Sequence, residues 1–233
     1  MTASNTIRVF SALAIRAPFD RLEASWQQQY PDSKLEIEWS PTTVIEKKIA
    51  AGDTADAVIL TVSAMDKLIE QGIVIASSRV ELVDSPIGLA MLPDASAPDI
   101  SSTQALKQAL LQARSVAYSL GGASGVYFQA LLKQLGIEQQ INARATTIAE
   151  GFTASQLLSG HADIAIQQIS ELLTVPGVKV IGPLPEEVQQ VTSISAGVFA
   201  AATHPEGAAA LLDFLRSAPA RAAFESFGQT CRD

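Results

Sequence analysis

Cysteine, histidine and long apolar runs are scarce in this chain, and each shortage excludes a chemistry. The one cysteine, Cys231, stands near the C-terminus; alone it can form no intramolecular disulfide and reads as structurally idle. The two histidines, His161 and His204, both lie beside turns. Neither a Ser-His-Asp arrangement nor a His/Cys metal spacing is present, so no metal and no cofactor are expected. Basic residues number 16 against 24 acidic ones, a formal charge of −8. That argues against nucleic acid as a partner but leaves room for a local small-anion site. No window approaches 18 consecutive apolar residues, so no membrane-spanning helix is expected. Residues 1–7 lack the basic start and apolar stretch of a signal peptide. Two readings stay open: a periplasmic protein whose leader was trimmed, or a cytoplasmic one.

What is present is a core-forming composition, 48% hydrophobic and 17% charged, with no sign of disorder. Short β-branched runs alternate with amphipathic helical patterns, the signature of an α/β protein. Residues 7–10, 35–39, 57–61, 115–118, 162–167 and 178–181 read as strands. Helices are expected over 18–29, from a Thr43/Glu46 capping box to Gly52, and over 65–71, 104–113, 125–135, 151–159, 204–216 and 219–227. The alternation lapses twice, near 82–91 around Asp84-Ser85-Pro86 and again near 190–200. Read as two crossings between lobes, these lapses give a first lobe of 1–83 plus 196–233 and a second lobe of 84–195.

Three turns stand out: Ser11–Phe19, Ser40–Ile49 and Gly121–Leu132. In each, an apolar run ends in small or hydroxyl residues and a helix begins. A helix N-terminus points free N–H groups and a favourable dipole at an anion. Ser40, Thr42 and Thr43 serve equally as a cap or as anion donors. Gly121-Gly122-Ala123-Ser124-Gly125 lets backbone approach something closely, with Ser124 as cap or ligand donor. It lacks the Gly-Lys-Ser/Thr of a phosphate-binding loop. Arg16 opposes the dipole of the helix it precedes, so it is either a surface residue or a bidentate carboxylate anchor. Glu150 is either a dipole partner or a proton-transfer group, and Asp56 reads as a turn residue.

In order and spacing these segments resemble the periplasmic molybdate-binding proteins, over nearly the whole chain. The carrying residues are Val9-Phe10-Ser11-Ala12-Leu13-Ala14, Ser40–Thr43 before Ile49–Asp56, Ala123-Ser124-Gly125-Val126-Tyr127, Gly160–Ile166 and Ala222–Gly228. The resemblance implies a two-lobed type II periplasmic-binding-protein fold. Each lobe would be a mixed sheet flanked by helices, with an anion in the cleft between them. Where that family places its first binding serine this chain has Ala14, with Arg16 two residues on; the second falls on Thr42 and the binding tyrosine on Gln168. These departures suit a di- or tricarboxylate better than a tetrahedral oxyanion.

The chain is similar to a divergent branch that includes proteins resembling aconitate isomerase, which shares Ala-Ser-Gly-Val-Tyr and Gly182-Pro183-Leu184-Pro185 with Gln189 and Thr192. Two functions follow from the resemblance. A binding protein would hold its anion through Ser11, Arg16, Thr42, Thr43, Ser124 and Gln168. A monomer is expected, and an ABC transporter's membrane component would be its partner. A cofactor-free isomerase would use the same anchors and move an allylic proton, with Glu150 and Tyr127 as candidate catalytic groups.

Overall fold

The computed structural model describes residues 5–233. The chain opens with β1 (Asn5–Ser11), α1 (Arg16–Gln29), β2 (Ser33–Trp39), α2 (Thr42–Ala50), β3 (Ala57–Thr61), α3 (Val62–Glu70) and the long strand β4 (Val80–Met91). There follow α4 (Thr103–Gln112), β5 (Val116–Ser119), α5 (Ala123–Gln134), α6 (Glu138–Asn142), β6 (Thr146–Ile148), α7 (Ser155–Leu158), β7 (Ile164–Gln168), α8 (Ile169–Leu172) and β8 (Lys179–Pro183). The chain closes with β9 (Val191–Val198), α9 (Pro205–Leu215), α10 (Ala218–Ser226) and β10 (Thr230–Cys231). It divides into two compact units. One takes the chain up to Asp84 and from Ser193 onward; the other is Ser85–Thr192.

In the first unit β1 pairs in parallel with β2 and β3, and β3 pairs antiparallel with β9. Strand alternation sorts the apolar side chains onto two faces. Ile7, Val9, Ala57 and Ile59 pack with Trp26, Leu211 and Phe224 on one face. Phe10, Val58 and Leu60 pack with Ile45, Met65 and Phe199 on the other. Asp56 is buried where β3 begins. Its carboxylate accepts N–H groups from Arg8, Thr203 and His204, each at 2.8 Å, and the Thr203 hydroxyl at 3.0 Å. Burial alone would raise its pKa; these four donors outweigh that and hold it below the usual range.

The second unit repeats the plan. β5 pairs in parallel with β6 and β7, and β7 pairs antiparallel with β4. Ile87, Leu89, Val116, Tyr118, Ile164 and Ile166 face Phe128 and Leu132. Ala90, Ala117 and Ala165 face Leu157 and Leu172. Small residues on that second face let short helices sit close to the sheet.

Several sequence expectations shift. Strand β4 runs unbroken through Asp84-Ser85-Pro86, and 191–198 is a regular strand. Pro86 falls between the pairing of β10 at Val83 and Asp84 and that of β7 from Ile87 onward, so its missing N–H interrupts neither of these two ladders. Helix α1 begins at Arg16, since a 3-10 turn over Leu13–Ile15 feeds straight into it and Pro18 sits in the first turn, where no N–H is needed. Thr43 and Glu46 form no capping box; the N-cap of α2 is Pro41. Residues 151–154 are a turn, with only Ser155–Leu158 helical.

Candidate functional site

Parallel pairing aligns the carboxyl ends of β1, β2 and β3, with Ser11 opposite Trp39 and Ile59. Two backbone hydrogen bonds tie the following turns together: Ala12 N–H donates to Ile59 O at 2.8 Å, and Ser40 N–H to Ser11 O at 3.1 Å. A helix starts from each strand end, and α1, α2 and α3 all lack a side-chain cap. By contrast α4 and α10 are capped by Ser102 and Ser217. Helices α6, α7 and α9 lack such a cap as well, so its absence is shared with other helices and does not by itself mark this edge.

Ser11 is fully buried, and its hydroxyl donates to Ala12 O at 3.2 Å. Residues Ala12–Ile15 are buried as well, and Gln229 Nε2 holds the turn by donating to Ala14 O at 3.0 Å. Arg16, the first residue of α1, is half-buried at the end of this fixed turn; Thr42 is half-buried and Thr43 exposed at the start of α2.

The second unit builds a matching edge. Ser119 aligns with Ile148, and Leu120 N–H donates to Ile148 O at 2.8 Å. Ser119 takes the place that Ser11 has in the first unit, at the end of the central strand. It is buried, and its Oγ has no hydrogen-bond partner among the described residues. The glycines after it make room for Ser119 itself. A Cβ on Gly122 would lie 2.8 Å from that Oγ, and one on Gly125 only 1.7 Å from the Ser119 carbonyl oxygen. Ser124 is buried in the first turn of α5, which also lacks a side-chain cap.

Gln168 ends β7, stands at the N-cap of α8 and faces Glu171 in a capping box, yet its Oε1 has no partner of ordinary hydrogen-bond geometry among the described residues. Beside it lies a buried polar group that sequence reasoning missed. Gln167 Oε1 accepts the Thr153 N–H at 2.8 Å and the Thr153 hydroxyl at 3.0 Å, while Nε2 donates to Gly151 O at 2.9 Å. The buried Glu171 carboxyl accepts the Gln168 N–H at 3.3 Å and hydrogen-bonds the Gln167 side chain. Burial pushes its pKa up to about 8, against the pull of those two donors.

Glu150 is exposed, in the turn just after β6. Tyr127 is half-buried, and its hydroxyl donates to Val188 O at 2.8 Å; burial raises its pKa. Gln189 serves the frame: its amide exchanges two hydrogen bonds, both 2.9 Å, with the backbone of Ile87. Among the described residues no group of three or more His, Cys, Asp or Glu could hold a metal ion, and no helix is long and apolar enough to cross a membrane.

A model of bacterial extracellular solute-binding proteins matches residues 7–230. The chain belongs to that family. The fold matches the periplasmic molybdate-binding protein of Azotobacter vinelandii with a TM-score of 0.79, at 17% identity, over 97% of this chain and 100% of that one. It also matches the substrate-binding protein of an ABC transporter from Agrobacterium tumefaciens, with a TM-score of 0.71 at 18% identity, over 96% and 78% of the two chains. Among sequence relatives, an aconitate isomerase from a Pseudomonas species is 37% identical over 201 residues, covering 84% of this chain and 76% of its own. The solute-binding family, the mixed α/β fold and the likeness to molybdate-binding proteins thus stand as the sequence suggests.

Proposed function

We propose that this solute-binding protein takes a tricarboxylate of the aconitate type and interconverts its cis and trans forms. The observation that carries the reading is the 37% identity to an aconitate isomerase across 84% of the chain. The site chemistry is compatible with it. Arg16 can bind a carboxylate bidentately, and Ser11, Thr42, Thr43, Ser124 and Gln168 are neutral donors at strand ends and helix starts.

Interconversion needs one proton moved between two carbons. A base removes a proton from the methylene carbon, and the C–H electrons form a new double bond to the central carbon. The old double bond opens and its far carbon takes the proton back. Nothing is oxidised or reduced, and the central atom keeps its carboxylate. The charge that builds up spreads into the adjoining carboxylates, where Arg16 and backbone N–H groups stabilise it. Glu150 is the base in this reading, being an exposed carboxylate in the turn after β6. Tyr127 is the second candidate.

The second reading, a transport protein that binds and releases its anion unchanged, is favoured by the family and by the transporter component among the structural neighbours. Thermal shift separates ligand classes. Trans-aconitate at a hundred times its Kd should add about 2.7 kcal/mol to stability, and Arg16→Ala should abolish that shift. Stabilisation by molybdate or sulfate alone would overturn the carboxylate assignment.

A further inference from the structure

The two units place different chemistry at the same position of the same motif. In the first, β3 runs through Leu60 to Thr61, which stands at the N-cap position of α3, and Ala64 is the third helical residue. In the second, β7 runs through Gln167 to Gln168, which stands at the N-cap position of α8, and Glu171 is the third helical residue. All four variable positions are buried: Leu60 and Ala64, Gln167 and Glu171. The first unit therefore shows that this strand-to-helix turn packs with an apolar pair. The second buries an amide and a carboxyl instead, and among the described residues no basic group forms an ion pair with that carboxyl. Burying polar groups costs desolvation free energy that their hydrogen bonds must first recover, a cost the apolar pair avoids, so packing alone does not select them.

What the polar pair does is hold a turn. Gln167 makes three hydrogen bonds to residues 151–153, and Glu171 bonds the Gln167 amide from the other side. Thr153 needs an acceptor and Gly151 offers one, so the amide has a single productive orientation: Oε1 toward Thr153, Nε2 toward Gly151 and Glu171. The Thr153 donors and the Gly151 acceptor fix that orientation against a flip, and the Glu171 carboxyl lies beside the amide as a further partner. The turn held this way begins immediately after Glu150.

We infer that Gln167 and Glu171 are positioning residues that fix the Glu150–Thr153 turn for the proton shift. The inference rests on the isomerase reading for its kinetic consequence, but the brace itself is a property of the folded chain. Displacing a reacting group by about 1 Å can cost on the order of 10²-fold in rate.

The test transplants the first unit's solution. The double variant Gln167→Leu/Glu171→Ala is expected to fold and melt cooperatively. Its kcat for aconitate interconversion should fall about 10²-fold with a much smaller change in KM, as for a lost geometric constraint. Glu171→Ala alone should lose rate, and Glu171→Gln, which keeps an acceptor, should recover most of it. Deuterium uptake at the Thr153 amide should rise in the double variant and in Glu171→Ala and return toward the parent value in Glu171→Gln. Unaltered uptake at Thr153, or unaltered kcat in the folded double variant, overturns the inference. If the unmodified protein does not interconvert the aconitates, the isomerase reading falls, while uptake at Thr153 still decides the brace. Should the double variant fail to fold, the pair Glu171→Ala and Glu171→Gln carries both readouts.

Discussion

Ser193 donates its hydroxyl to Asp84 Oδ1 at 2.6 Å, joining the residue where the chain leaves the first unit to the one where it returns. Arg232 reaches the same oxygen at 3.2 Å from beyond β10, and its backbone N–H donates to Leu82 O at 2.9 Å. The two crossing strands and the C-terminal strand thus share one carboxylate. Ser193→Ala and Arg232→Ala should each cost about 1 kcal/mol in urea unfolding, since the groups are partly exposed. Their effects should be non-additive in a double-mutant cycle, because both act on Asp84.

Gly125 is fixed by steric need. With the Ser119 carbonyl oxygen 1.7 Å from where a Cβ would stand, Gly125→Ala must push α5 off the end of β5. A loss of about 3 kcal/mol is expected in thermal unfolding, with weaker carboxylate binding because Ser124 lies in the displaced turn.

Glu171 gives the protein an unusual pH profile. Below pH 4.5 the folded and unfolded chains both hold its proton; between 4.5 and about 8 only the folded chain does. The unfolded state then binds fewer protons, so this group's contribution falls as pH rises and levels off above 8. The full loss is up to about 5 kcal/mol. Glu171→Gln should be more stable than the parent at pH 8 and nearly equal to it at pH 4.5, read from urea midpoints at the two pH values.

Much of this molecule was legible in its sequence where local pattern and structure agree. The continuous apolar runs at Val9-Phe10 and Ala57–Leu60 mark buried strands, and the glycines at 52, 72, 136 and 160 end helices with positive φ. Asp84-Ser85-Pro86 misleads because a proline looks like a break unless the partners on each side are known. Thr43/Glu46 has the spacing of a capping box, yet the box in the structure is Gln168/Glu171, whose signal is a glutamate three residues after two glutamines. Gln167 was illegible for a different reason. Its meaning depends on Thr153 and Gly151, fourteen and sixteen residues away, which pairing of β5 with both β6 and β7 brings beside it. Ser119 likewise carries no signal until the bond geometry shows its hydroxyl buried without a partner among the described residues.

The most direct test of the account is proton NMR of the purified protein with trans-aconitate alone, then with cis-aconitate alone. The account expects both samples to reach the same mixture of isomers, and Arg16→Ala to slow that approach by about 10²-fold or more. Trans-aconitate that binds, raises the melting temperature and stays unconverted would contradict it, and would leave a carboxylate-binding protein of the transport type.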